Sequence, residues 1–295
     1  MPGRVHDGSL TSKGVHVDGN DRRPGTLSRA LSPAARSAPV GVSRGFRLPQ
    51  TRAVPRWVIT DGYVDEELGT LRAGKEAGCF LVRRSSGERY CLLVRKDYRH
   101  RSDRSYNAPV RAGERSIRSN AYRDSLVILE SRQRRAARNR TAFGKQVIER
   151  AWAGREFQTL KRLWEAGASV PYPLQEVTHG FLMQYVGTIG EAAPRLADVR
   201  LTREEGEVVL ERLVEQLVIF VREGVVHGDL SAYNVLVQHG RPWIIDLPQA
   251  LDLYEHPRGF ELFERDVVNL GAYFKRLGIT CDASDLTRRL LRYDA

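Results

Sequence analysis

VVHGDLSAYNVLV, residues 225–237, sets Asp229 and Asn234 five positions apart inside an otherwise apolar, β-branched run. A strand crossing a core keeps such positions apolar, because an uncompensated buried carboxylate is costly. The two polar residues therefore mark a loop with a task, held between apolar flanks. Downstream, Pro242-Trp243-Ile244-Ile245-Asp246 reads as a buried strand that ends at a second acid.

Upstream of this stretch, Thr202-Arg203-Glu204-Glu205 has the form of a capping box. The helix it opens carries apolar residues at 209, 210, 213, 214, 217, 218 and 221 and stops by Gly224. Before it, Phe181 to Gly187 reads as a strand leading into a connector. Within 152–164 the apolar positions 153, 157, 160, 163 and 164 mark one helix face, with Gly167 as a stop and Pro171 and Pro173 enforcing the break. Residues 128–153 read as a basic helix. Tyr90 to Val94 is a short strand running into Arg95-Lys96-Asp97, which places a lysine at the strand's end. Leu68 to Arg83, with Gly69, Gly74 and Gly78, suggests a hairpin with a flexible turn. Helical segments near 261–277 and 284–292 follow Asp246.

The chain has 295 residues, enough for one large domain or two lobes with a cleft between them. No run approaches the roughly 20 apolar residues of a membrane helix. Cys79, Cys91 and Cys281 are scattered, without CxxC or a His cluster, so neither a disulfide framework nor a zinc site is expected. A reducing cytoplasm fits, and no apolar signal region opens the chain. The net charge of +11 is uneven: residues 1–56 hold 10 Lys and Arg against 3 Asp and Glu, and residues 99–155 hold 15 against 5. Residues 1–55, rich in Gly, Ser, Pro and Arg without period, read as a disordered basic tail. The Arg-rich insert 99–150 is a second basic segment. Such segments suit RNA or phosphates, or serve as solvated surface.

In chain order the sequence thus offers a Gly-rich hairpin, Lys96, Glu156, an apolar connector, Asp229 with Asn234, and Asp246. Phosphoryl transfer from ATP demands these residue types: a lysine on the phosphates, a glutamate that positions it, Asn and Asp on magnesium, and an Asp toward the nucleophile. Magnesium takes hard oxygen ligands, which Asn234 and Asp246 supply.

Four motifs then resemble one family, the RIO-type atypical serine/threonine protein kinases, in a bacterial-like branch. HGDLSAYN (227–234) is similar to its catalytic loop and IIDLPQA (244–250) to its metal loop. LRAGKEAGCF (71–80) resembles its phosphate loop, and WAGREFQTLKRLWEAGASVPYP (152–173) its helix C region. The resemblance spans residues 57–280, although Arg95 stands where an Ile is more usual before the lysine. It implies an α+β, bilobal protein-kinase-like fold: an N-lobe over 56–183 with a β-sheet and one main helix, and a helical C-lobe over 184–295 without an extended activation segment. It further implies Asp229 as catalytic base, Asn234 and Asp246 as metal ligands, and Lys96 on phosphate with Glu156 as its partner. Gly74, Lys75 and Glu76 would contact the nucleotide, while Met183, Gln184 and Val186 would hold the adenine through backbone hydrogen bonds. The cofactors implied are ATP and Mg2+, or Mn2+ in its place; Ser28, Ser32 and Ser37 are candidates for autophosphorylation.

Two other readings use the same residues. A small-molecule phosphotransferase of the aminoglycoside or choline kinase type shares HGD-L-x-x-x-N and a later Ile-Asp, but Ser231, Tyr233 and Leu247-Pro248-Gln249 favour the RIO pattern. An ATP-gated scaffold would bind RNA or a ribosomal particle through the basic segments.

Overall fold

The computed structural model describes residues 54–60, 62–73, 77–98 and 141–292, with positions 133, 135, 136 and 139. Nearly all of the basic tail, most of the insert and the loop residues Gly74, Lys75 and Glu76 lie outside the described residues, as do Ser28, Ser32 and Ser37.

Five antiparallel strands form the N-lobe sheet: β1 (Val64–Ala73), β2 (Ala77–Ser86), β3 (Arg89–Tyr98), β4 (Pro173–Val177) and β5 (Gly180–Gln184), in the order β1-β2-β3-β5-β4. The hairpin expected across Leu68 to Arg83 is β1 and β2. Strand β3 continues past Lys96 to Tyr98, further than the apolar letters alone suggest. Alternation explains the difference: Lys96 and Tyr98 share one face, while Arg95 and Asp97 turn to the other and pair with each other at 2.8 Å.

The two faces of the sheet bury different things. On the outer face Val82, Cys91, Leu93, Leu174 and Leu182 close around Val58 of α1 (Arg56–Ile59). Arg84 is fully buried there, which is tolerable because both Asp65 oxygens accept from it at 2.7 Å and the Val58 carbonyl at 2.8 Å. On the inner face, Lys96, Tyr98, Phe181 and Met183 look toward α2 (Ala142–Glu165), which packs on β4 and β5. Gly180 lies opposite Asp97 in β3, and a Cβ there would sit 1.7 Å from the Lys96 carbonyl; only glycine lets the two strands meet at the lysine.

On α2 the buried positions among the described side chains are Val147, Ala153, Glu156, Leu160 and Leu163, the last four forming a stripe spaced by three and four residues in which the carboxylate occupies a core position. The helix belongs with the large core that runs into the C-lobe, whose helices are α3 (Arg203–Arg222), α4 (Gly259–Arg276) and α5 (Ala283–Leu291). The capping box at the start of α3 forms as read: Glu205 N–H donates to Thr202 Oγ1 at 3.2 Å, and Thr202 N–H to the Glu205 carboxylate at 2.9 Å.

Short strands hold the C-lobe loops. β8 (Val225–Val226) pairs with β11 (Leu251–Asp252), and β9 (Val235–Gln238) with β10 (Arg241–Ile244). Residues 227–234 bridge β8 to β9 and residues 245–250 bridge β10 to β11, so the two loops carrying Asp229 and Asp246 start and end on the same paired strands. After β5 the connector leads to a small hairpin, β6 (Gly187–Thr188) and β7 (Glu191–Ala192).

Candidate active site

Lys96 is buried and its ammonium has three donors, all of them used. Two go to Glu156 Oε1 and Oε2 at 2.7 and 2.8 Å, and one to Asp246 Oδ1 at 2.7 Å. Burial alone would pull the lysine's pKa down; Asp246 and Glu156 outweigh it and hold the pKa well above its ordinary value. The Glu156 carboxylate also accepts from the Tyr98 hydroxyl, and at Oε1 from the Leu247 N–H at 2.9 Å. One buried carboxylate thereby joins β3, α2 and the residue next to Asp246. Burial, reinforced by Glu156, pushes the Tyr98 phenol well up, so the hydroxyl remains a donor.

Asp246 takes φ +68, a left-handed conformation unusual for a residue with a Cβ and a feature that clusters at functional sites. Its side chain is half exposed. Lys96 draws its pKa down against the burial of its surroundings, so the carboxylate stays charged well into the acid range.

The backbone of the Asp229 loop hangs on a residue outside every motif of the sequence. Asp266, buried on α4, accepts from the Gly228 N–H at 2.8 Å and the Leu230 N–H at 2.9 Å, bracketing Asp229. Arg265 donates to the Gly228 carbonyl, and Asn269 Nδ2 to the Leu230 carbonyl at 3.3 Å. Burial raises the Asp266 pKa, and the two backbone N–H groups resist that rise. The signal was present in the pattern: Asp266 lies on the same stripe as Leu262, Phe263, Val267, Leu270 and Phe274, an acid at a core position of an amphipathic helix.

His227 braces this loop, as its place in the motif suggests. Asp229 N–H donates to His227 Nδ1 at 3.3 Å, so Nε2 carries the proton that faces the Ile245 carbonyl at 3.0 Å. Ile245 N–H in turn donates to the Asn234 carbonyl at 3.0 Å. The Asp229 and Asp246 loops are therefore stitched together on both sides of Ile245. Gly228 takes φ +79, and a Cβ on it would stand 2.7 Å from the Gln249 carbonyl. Gly228→Ala combines backbone strain with this clash and is expected to cost about 1–3 kcal/mol; an unchanged denaturation midpoint would show that the two loops are not held this closely.

Asp229 is exposed, and its carboxyl is pushed up chiefly by burial of its surroundings, with Asp266 and Asp246 adding repulsion. Asn234 donates Nδ2 to the Asp229 carbonyl at 2.9 Å, which turns its amide oxygen away, free to act as a hard ligand. The short turn there is fixed by Ser231, whose hydroxyl accepts from Tyr233 N–H at 3.3 Å. An amide oxygen from Asn234 and a carboxylate from Asp246, set on stitched loops, suit a small hard cation that keeps water and phosphate among its ligands.

Of the residues singled out in the sequence, Lys96, Glu156 and Asp246 meet directly, and Asp229 and Asn234 meet through one hydrogen bond. Met183 and Gln184 end β5, with the Gln184 N–H donated to the Tyr172 carbonyl at 2.8 Å. Val186 lies just beyond, its carbonyl accepting from Ala193 N–H at 3.0 Å.

The family model described as "RIO domain" matches residues 118–286. The chain is 31% identical over 229 residues to the RIO-type serine/threonine-protein kinase Rio1 of Haloferax volcanii, covering 78% of this chain and 70% of that protein. It is 26% identical over 241 residues to the serine/threonine-protein kinase rio1 of Schizosaccharomyces pombe, covering 79% of this chain and 43% of the relative. For the human serine/threonine-protein kinase RIO1 the identity is 23% over 235 residues, covering 77% and 36%. The chain thus spans less than half the length of the yeast and human relatives. With the family model matching more than half of this chain and 31% identity to the Haloferax relative over most of both chains, the chain belongs to the RIO domain family.

Proposed function

We propose that this chain is a Mg-ATP-dependent phosphotransferase acting on serine or threonine, itself included, or hydrolysing ATP with the same residues. The observation that carries this reading is the pair of linked assemblies: Lys96, Glu156 and Asp246 on one side, Asp229 and Asn234 on the other, joined through His227 and Ile245. In this reading Asn234 and Asp246 hold Mg2+, or Mn2+ in its place, and the metal's contribution is to neutralise charge on the phosphates. Asp229, bracketed by N–H groups fixed on Asp266, orients the acceptor hydroxyl and takes its proton. Glu156 positions Lys96, and through the Leu247 N–H it also positions the start of the metal loop. The adenine lies against the connector, using the Gln184 carbonyl and Val186 N–H, since the Gln184 N–H and Val186 carbonyl are engaged within the fold. The phosphate-loop residues Gly74, Lys75 and Glu76 complete the nucleotide site.

The kinase lobes would span 56–183 and 184–295, with the basic segments 1–55 and 99–150 as the surfaces that meet RNA or a ribosomal particle. A cytoplasmic location agrees with this reading, and among the described residues no helix is long and apolar enough to cross a membrane.

The deciding experiment is incubation with γ-labelled ATP and magnesium, followed by phosphosite mapping and a test of acid lability. An acid-stable phosphate on serine or threonine supports the kinase. An acid-labile label on Asp246, accompanied by phosphate release, supports an ATPase. Robust transfer to an aminoglycoside or amino alcohol without autophosphorylation would overturn the protein-kinase reading.

A further inference from the structure

We propose that Arg72, at the end of β1, is a second phosphate-binding cation that grips the nucleotide's phosphates beside Lys96. The inference rests on the ATP site described above and adds to it a residue outside the motif set.

The strand register places it. Arg72 pairs with Cys79, and Cys79 pairs with Lys96, so the three residues lie in one row across β1, β2 and β3. Directly paired residues of antiparallel strands point to the same face, so Arg72 lies on the face from which Lys96 reaches Asp246. The charge distribution agrees. The Cys79 thiol, raised mainly by burial, is opposed by the positive charges of Lys96 and Arg72, and Arg72 also contributes to lowering Asp246.

The need for it follows from the lysine. Every donor of the Lys96 ammonium is committed to a carboxylate, and the cluster of Lys96, Glu156 and Asp246 sums to one negative charge. A phosphate chain approaching this row meets a cation already neutralised. Arg72 differs from the other arginines of β1 to β3. Arg83 pairs with Glu66, Arg84 with Asp65, Arg95 with Glu67 and Asp97, and Arg89 stacks over Trp57. Arg72 is exposed and makes no ion pair among the described residues. A planar guanidinium with five donors can bind two phosphate oxygens at once, at a position where exposure leaves it free to move onto them.

The test is calorimetric titration of the full chain with Mg-ATP, Mg-ADP and adenosine. Arg72→Ala is expected to weaken Mg-ATP about tenfold and Mg-ADP less, with adenosine within about twofold of the original chain. Arg72→Lys keeps the charge without the fork and should fall between the two. Because the side chain is exposed, both variants should melt as the original chain does, so an affinity loss reports contact rather than unfolding. Mg-ATP affinity unchanged by Arg72→Ala, or adenosine weakened as much as ATP, would overturn the inference while leaving the ATP site intact. An original chain that binds neither ATP nor adenosine would remove the ATP site itself, and this inference with it.

Discussion

Asp229→Asn is expected to lower phosphotransfer turnover by about 10³-fold while Mg-ATP affinity changes by no more than about twofold. The amide keeps the size and the backbone fit, because the loop is held by Asp266 and His227 bonding to N–H groups rather than to the Asp229 side chain. What it loses is the ability to take a proton. Single-turnover assays with equilibrium ATP binding separate the two effects; full turnover in the variant would exclude Asp229 as the base. The pH profile supplies a second check. A base must be ionised, and burial, with Asp266 and Asp246 nearby, pushes the Asp229 carboxyl up from its ordinary value. Turnover should therefore fall as pH drops through that raised value. Asp246, held low by Lys96, stays charged over the same interval, so the acid limb belongs to Asp229 together with Asp266, whose carboxyl is also raised by burial and holds the Asp229 loop. A limb at or below the ordinary aspartate range would contradict this assignment.

Glu156→Ala is expected to have the largest effect on stability. It removes the acceptor for two Lys96 donors, the Tyr98 hydroxyl and the Leu247 N–H. Lys96 and Glu156 are both nearly fully buried, so the variant strands a charged ammonium with only the half-exposed Asp246 to compensate it. Breaking a buried pair in this way costs about 3–5 kcal/mol, read as a shift in the denaturation midpoint at constant slope. Glu156→Gln, which retains the volume and one acceptor oxygen for a Lys96 donor and the Leu247 N–H, should fold better than the alanine variant yet still lose phosphotransfer, because its NH2 cannot accept from the second Lys96 donor or the Tyr98 hydroxyl as Oε2 does and the negative charge opposite Lys96 is gone. Loss below about 1 kcal/mol in the alanine variant would mean that the pair behaves as a surface salt bridge does.

The elements were largely legible because they follow from local rules. The capping box at Thr202 and Glu205, the apolar stripe of α3 and the stop before Gly167 depend on residues within a few positions of one another. Strand β3 extends past its apolar letters because Lys96 and Tyr98 look polar in one dimension; only the pairing with β2 and β5 shows that both are buried. Asp266 is inconspicuous in the sequence for a related reason. An acid on a helix is ordinary, and its function appears only when α4 packs under the catalytic loop and presents it to two backbone N–H groups.

The order of residues along the chain carries the chemistry: which residue types stand at 96, 156, 229, 234 and 246, in which order, and that they suit phosphates and a hard cation. It also determined the class of fold, since the resemblance and the periodicity agree on a sheet followed by helices. How these residues are connected appears only in the folded chain. Glu156 ties the lysine to the Asp246 loop, His227 ties that loop to the Asp229 loop, Asp266 carries the backbone of the latter, and Arg72 enters the row of Lys96. Each of these links joins residues far apart in the chain, and hydrogen bonds and ion pairs act over a few ångströms; no local pattern encodes them until strands and helices bring their partners into reach.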